Sequence, residues 1–314
     1  MATGQGVDSR KVVLAALAGN VGIAAAKFVA AFASDSVTML AEAVHSVADS
    51  TNQALLLLGM ALASRRDPEL YQLGRHKESY FWAFIASLFL FFMGGAYAIR
   101  EGLHKLTHKG EPPSSLLLQL VVLVVSIAFE SASFWVAARE FQKARKGRTL
   151  SAVLFGGKDP TIPLVLLEDA GALVGLVIAL AAVLTSHFSV STLADSAGSI
   201  VIGLLLCTIG MLLARDTHSL LIGEAATPEM RKKAIELAQG TEGVERVTQL
   251  LTMHLGPEAV LAAFKVRFRA GITVEEVERV TDALEARVRA EIPDMRRIFV
   301  EADGDYTSRP PAKD

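Results

Sequence analysis

The sequence predicts an α-helical membrane protein, six membrane-spanning helices followed by a small α+β domain. Three observations carry that expectation. Hydrophobic residues make up 52% of the 314, and mean hydropathy is +0.40. Apolar runs of the roughly 20 residues a spanning helix needs recur at 12–33, 37–63, 79–100, 114–138, 161–186 and 193–214. After about residue 222 these runs give way to short amphipathic segments. A net charge of −2 offers no electrostatic footprint for nucleic acid. The single cysteine, Cys207, excludes an intrachain disulfide and reads as a small packing residue.

The first run follows Arg10 and Lys11 and ends in "AFA", which imitates a signal peptide and its cleavage site. It is longer than a signal core and carries Asn20 and Lys27, so it reads as a retained helix. The second run contains Glu42, His45, Asp49, Asn52 and Gln53. Ionisable groups at the centre of a bilayer cost about 2.5–3.5 kcal/mol each even on the lenient insertion scale, so these need partners. "RRDPELYQLGRHKE" after the second run and "REFQKARKGR" after the fourth are rich in Arg and Lys, whereas "TSHFSVS" after the fifth has neither. Arg100, Lys105 and Lys109 after the third weaken that contrast without reversing it. The positive-inside rule then puts both termini in the cytoplasm, and the expected location is a bacterial inner membrane.

In the C-terminal part "TPEMRKKAIELAQG" reads as a helix with Thr227 as N-cap, Pro228 at its first position and Gly240 as its stop. "RVTQLLTMHL" and "AVLAAFKVRFR" alternate as strands around the turn "GPE". "TVEEVERVTDALEARVRAEI" is a second helix and "MRRIFVEAD" a last strand. The order αββαβ predicts a small open sandwich. The expected division is 1–221 for the membrane domain, 222–304 for the cytoplasmic domain and 305–314 for a disordered tail without an apolar run.

His45 and Asp49, four residues apart, share one helical face. An imidazole nitrogen and a carboxylate oxygen so placed suit a tetrahedral divalent metal at about 2.0–2.2 Å. In the fifth run Glu168 and Asp169 interrupt an otherwise apolar segment. Counting 1.5 Å per residue from the outer ends puts Asp49 roughly 20 Å deep and Asp169 roughly 25 Å deep. A cation between them would neutralise both acids; the competing reading has the acids fastening helices through Asn20 and Asn52. No H-E-x-x-H occurs, which argues against an intramembrane metalloenzyme.

"SDSVTMLAEAVHSVADSTNQ" resembles the second membrane helix of the cation diffusion facilitator family of divalent-metal/proton antiporters. The likeness extends to six helices, the basic "GRHKE" before the third, and a cytoplasmic αββαβ unit similar to the family's metallochaperone-like dimerisation domain. It implies a homodimer that exports a divalent metal in exchange for protons, with lipid around it and no resident cofactor. The family's site takes a His/Asp-x-x-x-Asp pair from the second helix and another from the fifth. His45, Asp49 and Asp169 match, but Val165 stands where a fourth ligand is usual. "LLEDAGAL" resembles the branch that includes an animal mitochondrial zinc transporter, and there Glu168 is the expected replacement, so the implied ligands are His45, Asp49, Glu168 and Asp169. Asn20, Asn52 and Glu130 remain alternatives. In the family geometry His45 lies level with Asp169 and Asp49 with Val165, so that Glu168 leans across the gap or Asn52 reaches up.

The branch resemblance favours zinc, while an oxygen-rich site moves preference toward manganese or iron, with cobalt also open. A membrane scaffold with a degenerate site is the remaining alternative. The family also implies auxiliary metal near Asp67 and His76 in the loop after the second helix, and near His254, Glu301 and Asp303 in the cytoplasmic domain.

Overall fold

The structure, a computed structural model, describes residues 9–34, 37–107, 116–145, 157–188 and 193–303. Within them the side chains of Glu42, His45 and Asp49, among others in α2, lie outside the description. The expected tail from 305 also lies outside the described residues. The chain divides into two compact units, Met1–Arg65 with Glu78–His218, and Arg66–Lys77 with Ser219–Asp314.

The first unit is helical: α1 (Ser9–Ser34), α2 (Val37–Ala63), α3 (Glu78–Phe89), a π-helical stretch (Leu90–Ala96), α4 (Tyr97–Thr107), α5 (Leu116–Arg145), α6 (Thr161–Phe188) and α7 (Leu193–Ile222). Five stretches are long and apolar enough to cross a membrane: Ser9–Ala33, Glu78–His104, Leu120–Lys143, Thr161–Ala181 and Ser196–Ile222. The described part of α2 adds a shorter apolar helix, Ser50–Ala63. The protein is a multi-pass integral membrane protein.

Within this unit α1 packs on α2 and α5, α5 on α6, and α2 on α3. One apolar cluster joins them, including Val12, Val13 and Ala16 of α1, Leu56 of α2, Ala83 and Ala86 of α3, Ala137 and Phe141 of α5, and Ile162, Leu164 and Val165 of α6. These positions gather where α1 begins and α2 finishes. At the same end Asp159 Oδ1 accepts from Thr161 N at 2.9 Å, which caps α6, while Ser9 Oγ donates to Asp159 Oδ2 and Tyr80 Oη to Lys158 O. The segment leading into α6 is thereby tied to α1 and α3.

The π-helical "LFFMGGA" meets α7 through small residues. A Cβ on Gly95 would lie 2.5 Å from Cys207 Sγ, and one on Gly203 would lie 2.7 Å from Gly95 O. Only glycine permits that backbone approach, the packing device of helices in lipid. Cys207 Sγ also donates to Phe91 O at 3.7 Å, so the lone cysteine is a packing residue with a local bond.

The second unit contains α8 (Pro228–Gln239), β1 (Val244–Gly256), β2 (Ala259–Phe268), α9 (Val274–Glu291) and β3 (Arg297–Ala302), the expected order. Thr227 caps α8, accepting from Met230 N, and Thr273 with Glu276 forms a reciprocal capping box on α9. The sheet runs β1-β2-β3, antiparallel then parallel. Register places Leu250, Phe264 and Val300 in one cross-strand row, with Leu250 and Phe264 buried in a core shared with Ala234, Leu284 and Val288. The adjacent rows Leu251–Ala263–Phe299 and Gln249–Lys265–Glu301 point the other way, as a period of two requires. Leu251 and Phe299 are 56% and 55% exposed. The segment Arg66–Lys77 belongs to this unit, with Arg297 donating to Gln72 O at 3.1 Å and Lys77 Nζ to Leu221 O at 3.2 Å.

Candidate metal centre

Immediately beyond the apolar cluster, four helices of the first unit place polar side chains at one level. Glu168 and Asp169 of α6 are 8% and 2% exposed. Adjacent helical residues point about 100° apart, and the two acids accordingly reach different neighbours. Asn52 Nδ2 on α2 donates to Glu168 Oε1 at 2.9 Å, and Ser133 Oγ on α5 donates to Asp169 Oδ2 at 2.6 Å. Asn20 Nδ2 on α1 donates to Gln53 Oε1 at 3.1 Å. Glu130 lies buried on α5, one turn before Ser133. Gly19 of α1 brings its backbone close to Ser133, whose Cβ is 3.6 Å from the Cβ an alanine there would carry.

The magnitudes explain why both acids are bonded. A carboxylate at the bilayer centre costs about 2.5–3.5 kcal/mol on the insertion scale, and a hydrogen bond to a charged group contributes about 1.5–3 kcal/mol. One such bond offsets most of the cost of each acid.

His45 and Asp49 lie on α2, seven and three residues before Asn52, and their side chains are outside the described residues. Among the described residues no three His, Cys, Asp or Glu side chains converge as a metal cluster. Asn52, three residues beyond Asp49 on α2, meets Glu168, three residues beyond Val165 on α6. Val165 is fully buried in the apolar cluster.

Sequence reasoning missed Ser133. Its only signal is a spacing of three from Glu130, and serine is common in membrane helices, so spacing alone could not single it out. Asn20 reaches Gln53 rather than either acid.

The auxiliary candidates have other engagements. Lys265 Nζ pairs with Glu301 at 3.2 Å and Asp303 at 3.4 Å. His254 is buried, with Nδ1 3.5 Å from Gly256 O. His76 lies against Gly256, and burial, together with Arg296 and Arg297, pushes its pKa below the usual imidazole value.

The cation efflux transmembrane domain matches residues 13–222, and the cytoplasmic domain of cation efflux proteins matches 226–304. The chain belongs to the cation efflux family, also called the cation diffusion facilitators. Members of the family are transporters, not enzymes. Metal tolerance protein C4 of Arabidopsis thaliana is 30% identical over 269 residues, 85% of this chain and 59% of the plant protein. The human mitochondrial proton-coupled zinc antiporter SLC30A9 is 30% identical over 248 residues, 78% of this chain and 42% of the antiporter. The chain thus spans about half the length of these two relatives. Magnetosome protein MamB of Magnetospira sp. (strain QH-2) is 23% identical over 281 residues, 90% of each.

Proposed function

We propose that this protein is a six-span, homodimeric exporter of a divalent metal ion, zinc foremost, which moves the ion out of the cytoplasm in exchange for protons. The observation that carries the reading is the pair Glu168 and Asp169, buried side by side in an apolar helix, with Glu168 bonded to the helix that bears His45 and Asp49. His45, Asp49, Glu168 and Asp169 are the ligands in this reading. They bind metal only when deprotonated, so metal affinity falls with acidity and the emptied site can carry protons back. α2 counts as the sixth span, both termini face the cytoplasm, and the membrane is a bacterial inner one. The domain division is 1–221 and 222–304, with the tail beyond. The likeness to a proton-coupled zinc antiporter supports zinc and antiport.

Val165, where the family usually has an imidazole or carboxylate, favours a second reading in which manganese, iron or cobalt is accepted as readily. The sheet face bearing Leu251 and Phe299 is the surface we assign to a second copy of the chain. An 80-residue domain is marginal alone and gains from covering such a face.

Metal flux into proteoliposomes, run with zinc, manganese, iron and cobalt, tests the reading. His45→Ala and Asp49→Ala should abolish flux while leaving membrane insertion intact. Normal flux from purified Asp49→Ala protein would overturn the ligand assignment, and no flux of any metal by the native chain would leave the scaffold.

A further inference from the structure

The bond between Asn52 and Glu168 fixes which way the amide faces. A carboxylate oxygen only accepts, so Asn52 must turn Nδ2 toward it, which aims Oδ1 elsewhere. Asn52 is 3% exposed, and its Oδ1 is buried with no hydrogen-bond partner among the described residues. A buried acceptor left without a donor is costly. Such an atom calls for a ligand that the protein alone does not supply.

Helical geometry says where that oxygen stands. At 100° per residue, His45, Asp49 and Asn52 fall within an arc of about 60°, and Asn52 is about 4.5 Å along the axis from Asp49. The bond to Glu168 shows that Asn52 faces α6. Val165 cannot supply a donor, because it is fully buried in the apolar cluster and carries only methyl groups.

We propose that Asn52 Oδ1 is itself a ligand of the transported ion and supplies the donor that Val165 lacks. The inference rests on the transport-site reading above. Asp49, Glu168 and Asp169 already bring three carboxylates to a divalent ion, so a neutral oxygen adds a donor without adding excess negative charge. Carboxylate and carbonyl oxygens suit harder ions, whereas imidazole suits zinc. A site with one imidazole and an amide oxygen therefore takes manganese and iron beside zinc, and Asn52 is a residue that sets this breadth.

The test uses the full-length protein, purified in detergent, and follows Co²⁺ binding by its d–d absorption. Asn52→Leu should weaken binding on the order of a hundredfold and change the band. Asn52→Asp keeps an oxygen in place but loses the amino group that holds Glu168, and it should bind within about tenfold of native. Asn52→His should raise the zinc-to-manganese affinity ratio. Equal impairment of Asn52→Leu and Asn52→Asp overturns the proposal, because Asn52 then acts only by holding Glu168. A native spectrum and affinity in Asn52→Leu, or an unchanged metal ratio in Asn52→His, overturns it too. The underlying reading fails separately: Co²⁺ binding unaffected by both His45→Ala and Asp169→Asn would remove the transport site altogether.

Discussion

The two units bury polar groups in opposite ways. In the membrane unit Asn52, Gln53, Ser133, Glu168 and Asp169 are all buried, and bonds between helices join Asn52 to Glu168, Ser133 to Asp169 and Gln53 to Asn20. In the cytoplasmic unit the core is Ala234, Phe264, Leu284, Val288 and their neighbours, and the ionic pairs of Lys233 with Glu291 and Arg267 with Glu245 are at the surface. A fold that needed only stability would fill the membrane core with Leu and Val, so the acids retained there point to work on a cation.

That contrast can be broken most severely at the acids. Glu168→Gln and Asp169→Asn keep size and hydrogen bonding but remove charge. Each should lower metal flux in proteoliposomes by about a hundredfold or more while elution and helix content stay native. Glu168→Gln with normal flux would reduce Glu168 to a fastening role. Val165→His, restoring the family pattern, should raise zinc over manganese by about tenfold in competition.

In the cytoplasmic unit the largest effect should be on folding. Phe264 is 1% exposed at the centre of the core, and Phe264→Ala should cost about 3–5 kcal/mol. Urea unfolding of a 222–304 fragment measures this, and the same fragment should sediment as a dimer through the face of Leu251 and Phe299. Thr273→Ala removes half of the capping box on α9 and should cost about 1 kcal/mol. Metal flux should be insensitive to the Thr273 change, which separates the roles of the two units.

The smallest effect concerns acid. Burial, then Arg296 and Arg297, lower the pKa of His76 below its ordinary 6.5. The released state of the 66–77 segment therefore binds protons more readily than the docked state. Docking is at full strength above 6.5 and weakens as pH falls through and below that value. Hydrogen-exchange protection across 66–77, corrected for the intrinsic rate at each pH, should fall between about pH 8 and about pH 5.5, and His76→Gln should flatten the change.

Much of the fold was legible because its signals are local. Runs of apolar residues set the membrane helices, and the caps Thr227 and Thr273 marked where α8 and α9 begin. Alternation gave the strands, and the spacing of His45 and Asp49 put two candidate ligands on one face. Which residues meet across helices is a different kind of fact. Register depends on how whole helices pack, and that packing, rather than spacing along α6, brought Glu168 to Asn52. The choice of Ser133 for Asp169, the orientation of the Asn52 amide and the π-helical turn that lets Gly95 lie against Cys207 likewise rest on neighbours distant in sequence. Composition and periodicity determined that acids lie buried in a membrane helix; only tertiary packing decided which side chain each acid touches, because hydrogen bonds form between positions in space.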